Sequence, residues 1–259
     1  MDQAVILADA DNTLWDTDAV FAGAQLQLLD AVELATGRTV AVAADERLAW
    51  LRSYDQAIAT IDHRRLKYPP SLLVRALAMG ITGAASTDAA SAVIRGSTIS
   101  RVAEQDVESI TVAFAQAVGR APAILPGVRE GLEAAAREGL DVWVLTEWSA
   151  ERQRARIAAH GLDSLIRGVA EVIKNKEQFA RQQRRFAPRI LYVIGDQPDR
   201  DVAPARAAGC RAVLVPSRFR PAWHQEAAWR NADHVSETFD AAVEWVISDS
   251  YGERPARDG

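Results

Sequence analysis

Five short apolar runs recur along the chain, and each is bounded by polar or turn-forming residues. They are Val5–Ala8, Val142–Leu145, Val169–Ile173, Ile190–Ile194 and Ala212–Val215. Near-continuous apolarity over so few residues is typical of parallel strands that are buried on both faces of a sheet. The pattern therefore predicts one parallel sheet built from these runs.

Helical signals lie between the later strands. Pro126 and Gly127 open a predicted helix over Val128–Glu138, and Ser149 is a candidate N-cap for a helix over Ala150–Ala159. A third helix is predicted to start at Asp201 and to run through Ala208. Strands that alternate with helices favour right-handed crossovers, so we predict an α/β fold with a doubly wound, Rossmann-like core.

The segment from about residue 17 to residue 121 has a different pattern, because it shows helical spacing and no convincing strand. Helices are predicted at Val20–Ala35, Asp45–Ile61, Ser71–Met79 and Asp106–Val118. A connection of this length is far longer than usual crossovers, so it is interpreted as an inserted all-helical cap domain. The predicted domains are a core of residues 1–17 and 122–248, a cap of residues 18–121, and a flexible tail of residues 249–259.

Composition narrows the class of protein. The chain has 259 residues and a formal net charge of −5, which supplies no basic surface for unspecific nucleic-acid binding. Its one cysteine, Cys210, cannot form an intrachain disulfide, which favours a reducing compartment. No apolar run is long enough for a signal peptide or a membrane span. We expect a cytoplasmic protein with neither nucleic-acid nor membrane partners.

Candidate chemistry lies at the predicted strand ends, which meet at one edge of a parallel sheet. These positions carry Asp9, Asp11, Thr146, Lys174, Asp196 and, slightly further on, Asp201. Crowded carboxylates repel one another, and a hard divalent cation such as Mg²⁺ would offset that repulsion. A lysine and a hydroxyl in the same place favour an anionic substrate. The strand ends therefore predict a site for phosphoryl transfer.

Four segments resemble the motifs of one enzyme family. The run Val5–Leu14 is similar to the first motif, hhhDxDxT, of the haloacid dehalogenase (HAD) superfamily of hydrolases. Thr146 resembles the second motif, Lys174 with Phe179 on a following helix resembles the third, and Gly195–Asp201 resembles the fourth, GDxxxxD. The four occur in the family's order, each at a predicted strand end.

The resemblance implies a phosphatase-type hydrolase that acts on a small phosphorylated metabolite. It implies that Asp9 is the nucleophile, that it forms an aspartyl-phosphate, and that Asp11 is the acid and base. Thr146 and Lys174 would contact phosphoryl oxygens. The implied Mg²⁺ ligands are the Asp9 carboxylate, the Asp11 main-chain carbonyl and the Asp196 carboxylate, with Asp201 in support.

Some residues depart from the pattern or leave alternatives open. Glu147 and Trp148 stand where family phosphatases often have Asn, so Glu147 would repel phosphate unless it points away or binds a substrate group. Gln197 stands where a small hydroxyl residue is common. Lys176 competes with Lys174 for the third motif, and the spacing to Phe179 favours Lys174.

Substrate contacts are predicted from two further groups of residues. Trp15 and Trp148 would either form an aromatic wall for a substrate or pack in the protein. The basic run that contains Arg64, Arg65 and Lys67 would either bind an anionic leaving group or lie on a solvated face. A phosphomutase, a signalling receiver and a non-catalytic phosphoryl-binding scaffold remain as alternatives, and the sequence leaves the substrate and the oligomeric state open.

Overall fold

The computed structural model describes residues 4–61, 68–96, 102–218, 220 and 226–252. The chain divides into two compact units, one of residues 1–17 with 122–259 and one of residues 18–121. The described strands belong to the first unit. They are β1 Ala4–Ala8, β2 Asp141–Thr146, β3 Gly168–Glu171, β4 Ile190–Gly195, β5 Arg211–Leu214 and β6 His234–Val235.

The six strands form one sheet in the order β3-β2-β1-β4-β5-β6, and every neighbouring pair is parallel. The predicted α/β fold with a Rossmann-like parallel sheet is confirmed. The third strand ends at Glu171, and Ile173, which was predicted to belong to it, is exposed. The sixth strand was not predicted, because its two residues are too few to show a periodicity.

Strand β1 explains why the apolar runs lack alternation. All five of its residues are buried. Ala4, Ile6 and Ala8 pack into one apolar layer, whereas Val5 and Leu7 pack into the layer on the other face of the sheet. Because both faces are covered, every position of the strand needs an apolar side chain.

Helices account for most of the remaining described chain. They are α1 Thr17–Thr36, α2 Arg47–Ile61, α3 Pro70–Ile81, α4 Ser86–Ile94, α5 Glu104–Val118, α6 Val128–Arg137, α7 Ala150–Ala159, α8 Lys176–Phe186, α9 Ala203–Ala207 and α10 Phe239–Gly252. In the parts of the chain that the structure covers, none of these helices has the length and apolarity needed to cross a membrane.

Several predicted boundaries can be compared with these helices. Ser149 caps α7 as expected, and its Oγ accepts a hydrogen bond from Arg152 N at 3.3 Å. The helix predicted to start at Asp201 does not start there, because a π-helical turn over Pro198–Val202 already contains Asp201 and leads into α9. Helix α10 continues to Gly252, so residues 249–252 are helical and were wrongly placed in a flexible tail.

The described part of residues 18–121 consists of helices α1 to α5, one short 3₁₀ segment and connecting turns. A buried polar network ties this unit together. Asp55 on α2 accepts hydrogen bonds from Gln25 Nε2 at 2.9 Å and from the Tyr68 hydroxyl. Arg52 donates to Gln25 Oε1 at 3.1 Å and forms an ion pair with Asp18. The network joins α1, α2 and the chain just before α3.

Candidate active site

The site lies where the strand order reverses direction, between β1 and β4. Asp9 follows β1, and its amide donates to the carbonyl of Ile194 at 2.8 Å, which extends the pairing by one residue. Asp196 follows β4 directly. Ligands of open α/β sheets bind in the crevice beyond the carboxyl ends of the strands at such a point.

A tight turn carries the chain away from Asp9. The Ala10 carbonyl accepts a hydrogen bond from Leu14 N at 2.8 Å, and Asn12 adopts a left-handed backbone with φ of 62°. Asparagine tolerates this conformation better than most residues. The turn therefore keeps Asp11 close to the end of β1, where its side chain remains partly accessible.

Three buried carboxylates meet at this edge. Oxygen atoms of Asp9, Asp196 and Asp201 all lie within 4.8 Å of one another. Asp201 reaches the cluster because Gly195 has no side chain, since a Cβ on residue 195 would overlap the Asp201 carboxylate. The backbone N–H of Gln197 also donates to Asp201 Oδ2 at 3.0 Å, which fixes the Asp201 side chain in place.

Lys174 lies in the middle of the acids. Its Nζ donates to Asp201 Oδ1 at 2.6 Å and to Asp9 Oδ1, and its side chain is only 5% exposed. Burial by itself lowers the pKa of Lys174, but the charges of Asp201 and Asp9 outweigh it and hold that pKa above its ordinary value. Lys176, the competing candidate, is exposed at the first position of α8.

The acids outnumber this cation. Burial raises the pKa of Asp9 to about 7, and the charges of Asp201 and Asp11 add to the increase while Lys174 opposes it. Burial, together with the charges of Asp9 and Asp201, also raises the pKa of Asp196 well above its usual range. Three carboxylates beside one ammonium group leave an excess of negative charge, which a further cation would stabilise.

The residues present fit a divalent metal ion. Asp196 Oδ1 is buried and has no hydrogen-bond partner among the residues that the structure describes. Oxygen of this kind is the donor that Mg²⁺ prefers. Both oxygens of Asp201 already accept hydrogen bonds, one from the Lys174 ammonium group and one from the backbone N–H of Gln197. Asp9 and Asp196 are therefore the better candidates for direct ligands, with Asp201 holding Lys174 beside them.

The end of β2 carries a hydroxyl group and, at the next residue, a carboxylate whose charge is paired. Thr146 is buried at the end of β2, and its Oγ1 accepts a hydrogen bond from Trp148 N at 3.1 Å. Glu147 Oε1 accepts from the Lys174 amide at 3.0 Å, and Oε2 pairs with Arg200. Both oxygens of Glu147 are therefore engaged within the protein, and its contact with a substrate stays a prediction.

Asp11 has partners that were not predicted. Its Oδ1 accepts from Arg156 Nη1 and from Thr17 Oγ1, both at 2.7 Å, and its Oδ2 accepts from Gln153 Nε2 at 2.9 Å. Gln153 and Arg156 lie three residues apart on α7 and are both buried. In the sequence, the only sign of these partners was that Gln153 and Arg156 share a face of α7 with Ile157. The folded structure is needed to show that this face is buried.

The residues that were predicted to contact a substrate differ in their exposure and in whether the structure describes them. Trp15 does not form an aromatic wall, because it is fully buried, donates its indole N–H to Gln153 Oε1 at 2.9 Å and stacks on His160 with centroids 5.2 Å apart. Trp148 is 53% exposed. Arg64, Arg65 and Lys67 lie outside the described residues.

Comparisons with known proteins agree with this architecture. Residues 174–242 match the family model described as HAD-hydrolase-like. The sequence matches no curated protein. Because that match covers the chain only from Lys174 through the start of α10, the whole-chain comparison rests on solved structures.

Three solved structures share the fold at low sequence identity. A haloacid dehalogenase-like family hydrolase from Xanthomonas campestris has 20% identity, a TM-score of 0.61, and coverage of 98% of this chain and 95% of that one. A HAD-hydrolase of Bacillus subtilis bound to magnesium has 13% identity, a TM-score of 0.59, and coverage of 96% and 100%. A predicted phosphoglycolate phosphatase from Haemophilus somnus has 16% identity, a TM-score of 0.60, and coverage of 95% and 99%. The fold of the whole chain and the family pattern of residues 174–242 are therefore both similar to those of haloacid dehalogenase-type hydrolases.

Proposed function

We propose that the protein hydrolyses a small phosphate monoester in a Mg²⁺-dependent reaction that passes through an aspartyl-phosphate on Asp9. The observation that carries the proposal is the buried cluster of Asp9, Asp196 and Asp201 around Lys174. Its unbalanced negative charge suits a metal ion, and the metal together with Lys174 suits an anionic substrate.

Asp9 is the nucleophile in this proposal. One of its carboxylate oxygens attacks phosphorus, and the bond from phosphorus to the leaving alcohol breaks. Lys174 and the Thr146 hydroxyl stabilise the phosphoryl oxygens during the transfer. The ion pair of Glu147 with Arg200 keeps the Glu147 charge from repelling that group.

Asp11 moves the proton in both halves of the reaction. It gives a proton to the leaving alkoxide, and then takes one from the water that attacks phosphorus and releases Asp9 with inorganic phosphate. Members of the superfamily that cleave carbon–halogen bonds need no such acid, because a halide leaves without a proton. Asp11 therefore favours phosphoryl chemistry over dehalogenation.

A Mg²⁺ ion held by Asp9 and Asp196 would neutralise charge on the phosphoryl group and on its attacking carboxylate. Among the residues that the structure describes, Asp196 Oδ1 has no hydrogen-bond partner, which supports this ligand set. The main-chain carbonyl of Asp11 and the side chain of Asp201 complete the proposed environment of the ion.

Residues 18–121 are proposed to act as a cap domain. They form a separate compact unit, which begins in the sequence at α1, just after the turn that carries Asp9 and Asp11. Caps in such enzymes exclude water and select the substrate.

The one cysteine, buried Cys210, fits a reducing compartment, so we further propose that the enzyme works in the cytoplasm.

The test is a phosphate-release screen over a library of phosphorylated metabolites with Mg²⁺. The Asp9→Asn variant is the blank, because it keeps the shape of the side chain and removes the nucleophilic carboxylate. We expect wild-type activity on at least one substrate, loss of that activity with EDTA, and none in the variant. Equal release by wild type and Asp9→Asn would disprove the mechanism.

A second measurement separates hydrolysis from phosphoryl return to the substrate. Hydrolysis in ¹⁸O-labelled water places one labelled oxygen in the released phosphate, because water attacks phosphorus in the second half of the reaction. A phosphomutase would instead give an isomerised phosphorylated product with no label. The labelled phosphate is the expected result.

A further inference from the structure

Helix α7 brings two buried polar side chains to Asp11. Gln153 is fully buried, and the side chain of Arg156 is only 9% exposed. A buried guanidinium is costly unless it is paired, so its position calls for a specific partner. Asp11 is that partner, at 2.7 Å from Arg156 Nη1.

Trp15 fixes the orientation of the Gln153 amide. The indole N–H can only donate, so the amide oxygen must face it, and the observed distance between them is 2.9 Å. The amide nitrogen is thereby directed at Asp11 Oδ2, also at 2.9 Å. Because Trp15 is fully buried, this orientation has little freedom to reverse.

Arg156 holds the other oxygen of the same carboxylate. Its Nη1 contacts Asp11 Oδ1 at 2.7 Å and Gln153 Oε1 at 3.4 Å, so the two α7 residues also support each other. Thr17 adds a hydrogen bond to Asp11 Oδ1. With both oxygens held by residues from a packed helix, the side-chain torsions of Asp11 are fixed from two sides.

We propose that Gln153 and Arg156 are positioning residues that set the Asp11 carboxyl group for proton transfer to and from the substrate. The proposal rests on the proposed function, since it needs Asp11 to be the acid. Proton transfer depends steeply on the direction and the distance between donor and acceptor. Supporting groups that hold a reacting side chain in one orientation commonly control the rate of the step that this side chain performs.

The leaving group of the substrate provides the test. An alkyl phosphate needs a proton from Asp11 when its alcohol departs, whereas p-nitrophenyl phosphate releases a stable phenolate without one. The quantity to compare is kcat/KM, because it covers the steps up to departure of the leaving group and excludes the later attack by water. The variants are Arg156→Ala and Gln153→Met, and Arg152→Ala is the matched control on the exposed face of α7.

We expect kcat/KM for the alkyl ester to fall by about tenfold or more in both variants, with a change of less than about threefold for p-nitrophenyl phosphate. Arg152→Ala should leave both values unchanged. Arg156→Lys should recover part of the loss on the alkyl ester. If Arg156→Ala does not fold, Gln153→Met and Arg156→Lys carry the same comparison. An equal loss on both esters would overturn the proposal, since that is the result of a merely structural role.

A double-variant cycle with Asp11→Asn gives an independent readout. If Arg156 acts through Asp11, then Arg156→Ala should have almost no further effect once Asp11 is Asn. A full additional loss in the Asp11→Asn background would overturn the proposal. Failure of the proposed function has a different signature: the wild-type protein would then release phosphate from neither ester, and the positioning role would be lost with it.

Discussion

The ammonium group of Lys174 lies 2.6 Å from Oδ1 of Asp201, and it also donates to Asp9. A single cation therefore joins the loops that follow β1, β3 and β4. Asp201 holds the lysine in this arrangement, while Asp196 Oδ1 has no hydrogen-bond partner among the described residues.

Replacing Lys174 by Met should remove the charge that contacts both acids. We expect phosphate release to fall by about a hundredfold or more, similar to the loss of one main electrostatic donor in other active sites. Lys176→Met is the matched control, because Lys176 is only two residues away and is exposed. Steady-state kinetics on the best substrate measure the effect. Similar losses in the two variants would contradict the assignment of Lys174.

Replacing Gly195 by Ala should displace Asp201. The new Cβ would overlap the Asp201 carboxylate, so either that side chain or the backbone after β4 must shift. We expect a strong loss of activity and a lower melting temperature. Gly23→Ala on α1 is the control, because a Cβ there meets nothing within 4 Å and alanine favours a helix by about 1 kcal/mol. Full activity of Gly195→Ala would show that the position of Asp201 is not needed.

Replacing Arg200 by Ala should leave the Glu147 charge unpaired next to the Lys174 loop. We expect inorganic phosphate, as a product inhibitor, to bind several-fold more weakly, because an uncompensated carboxylate repels it. The double variant with Glu147→Gln should restore the affinity. Arg206→Ala is a suitable control, since Arg206 pairs with Asp233 instead. Unchanged inhibition in Arg200→Ala would mean that Glu147 does not influence the anion.

The stability of the helical unit should depend on pH through Asp55. Burial raises the pKa of Asp55 above its usual 3.8, against the opposing hydrogen bonds from Tyr68 and Gln25 and the charge of Arg52. A carboxyl group whose pKa is raised by folding stabilises the protein below the pKa of the unfolded state, and that contribution is lost as the pH rises through the folded value.

Comparison with Asp55→Asn isolates this effect. The free energy of unfolding of the wild type minus that of the variant should decrease as the pH rises from about 4, because asparagine does not titrate. Urea unfolding at a series of pH values gives the difference. The slope of that difference, and not its offset, is the test, since Asn also changes the hydrogen bonds to Gln25 and Tyr68. A difference that increases with pH would contradict the raised pKa.

The sequence by itself determined five of the six described strands and the residues at the edge of their sheet. Continuous apolar runs such as Val5–Ala8 are typical of parallel strands that are buried on both faces, and their alternation with helical segments predicted the fold class. The residue after each run then lies at the carboxyl edge, and Asp9 and Asp196 could be assigned to one site without coordinates. These inferences need only the period of the backbone and the common direction of the strands.

Only the tertiary structure decided how side chains at that edge are paired. Asp11 and Gln153 are 142 residues apart in sequence, and their hydrogen bond depends on how α7 packs beside the β1 turn. The pairing of Glu147 with Arg200 and the burial of Trp15 have the same origin. Side-chain directions between distant elements are set by packing and charge balance in three dimensions, and no local period encodes them.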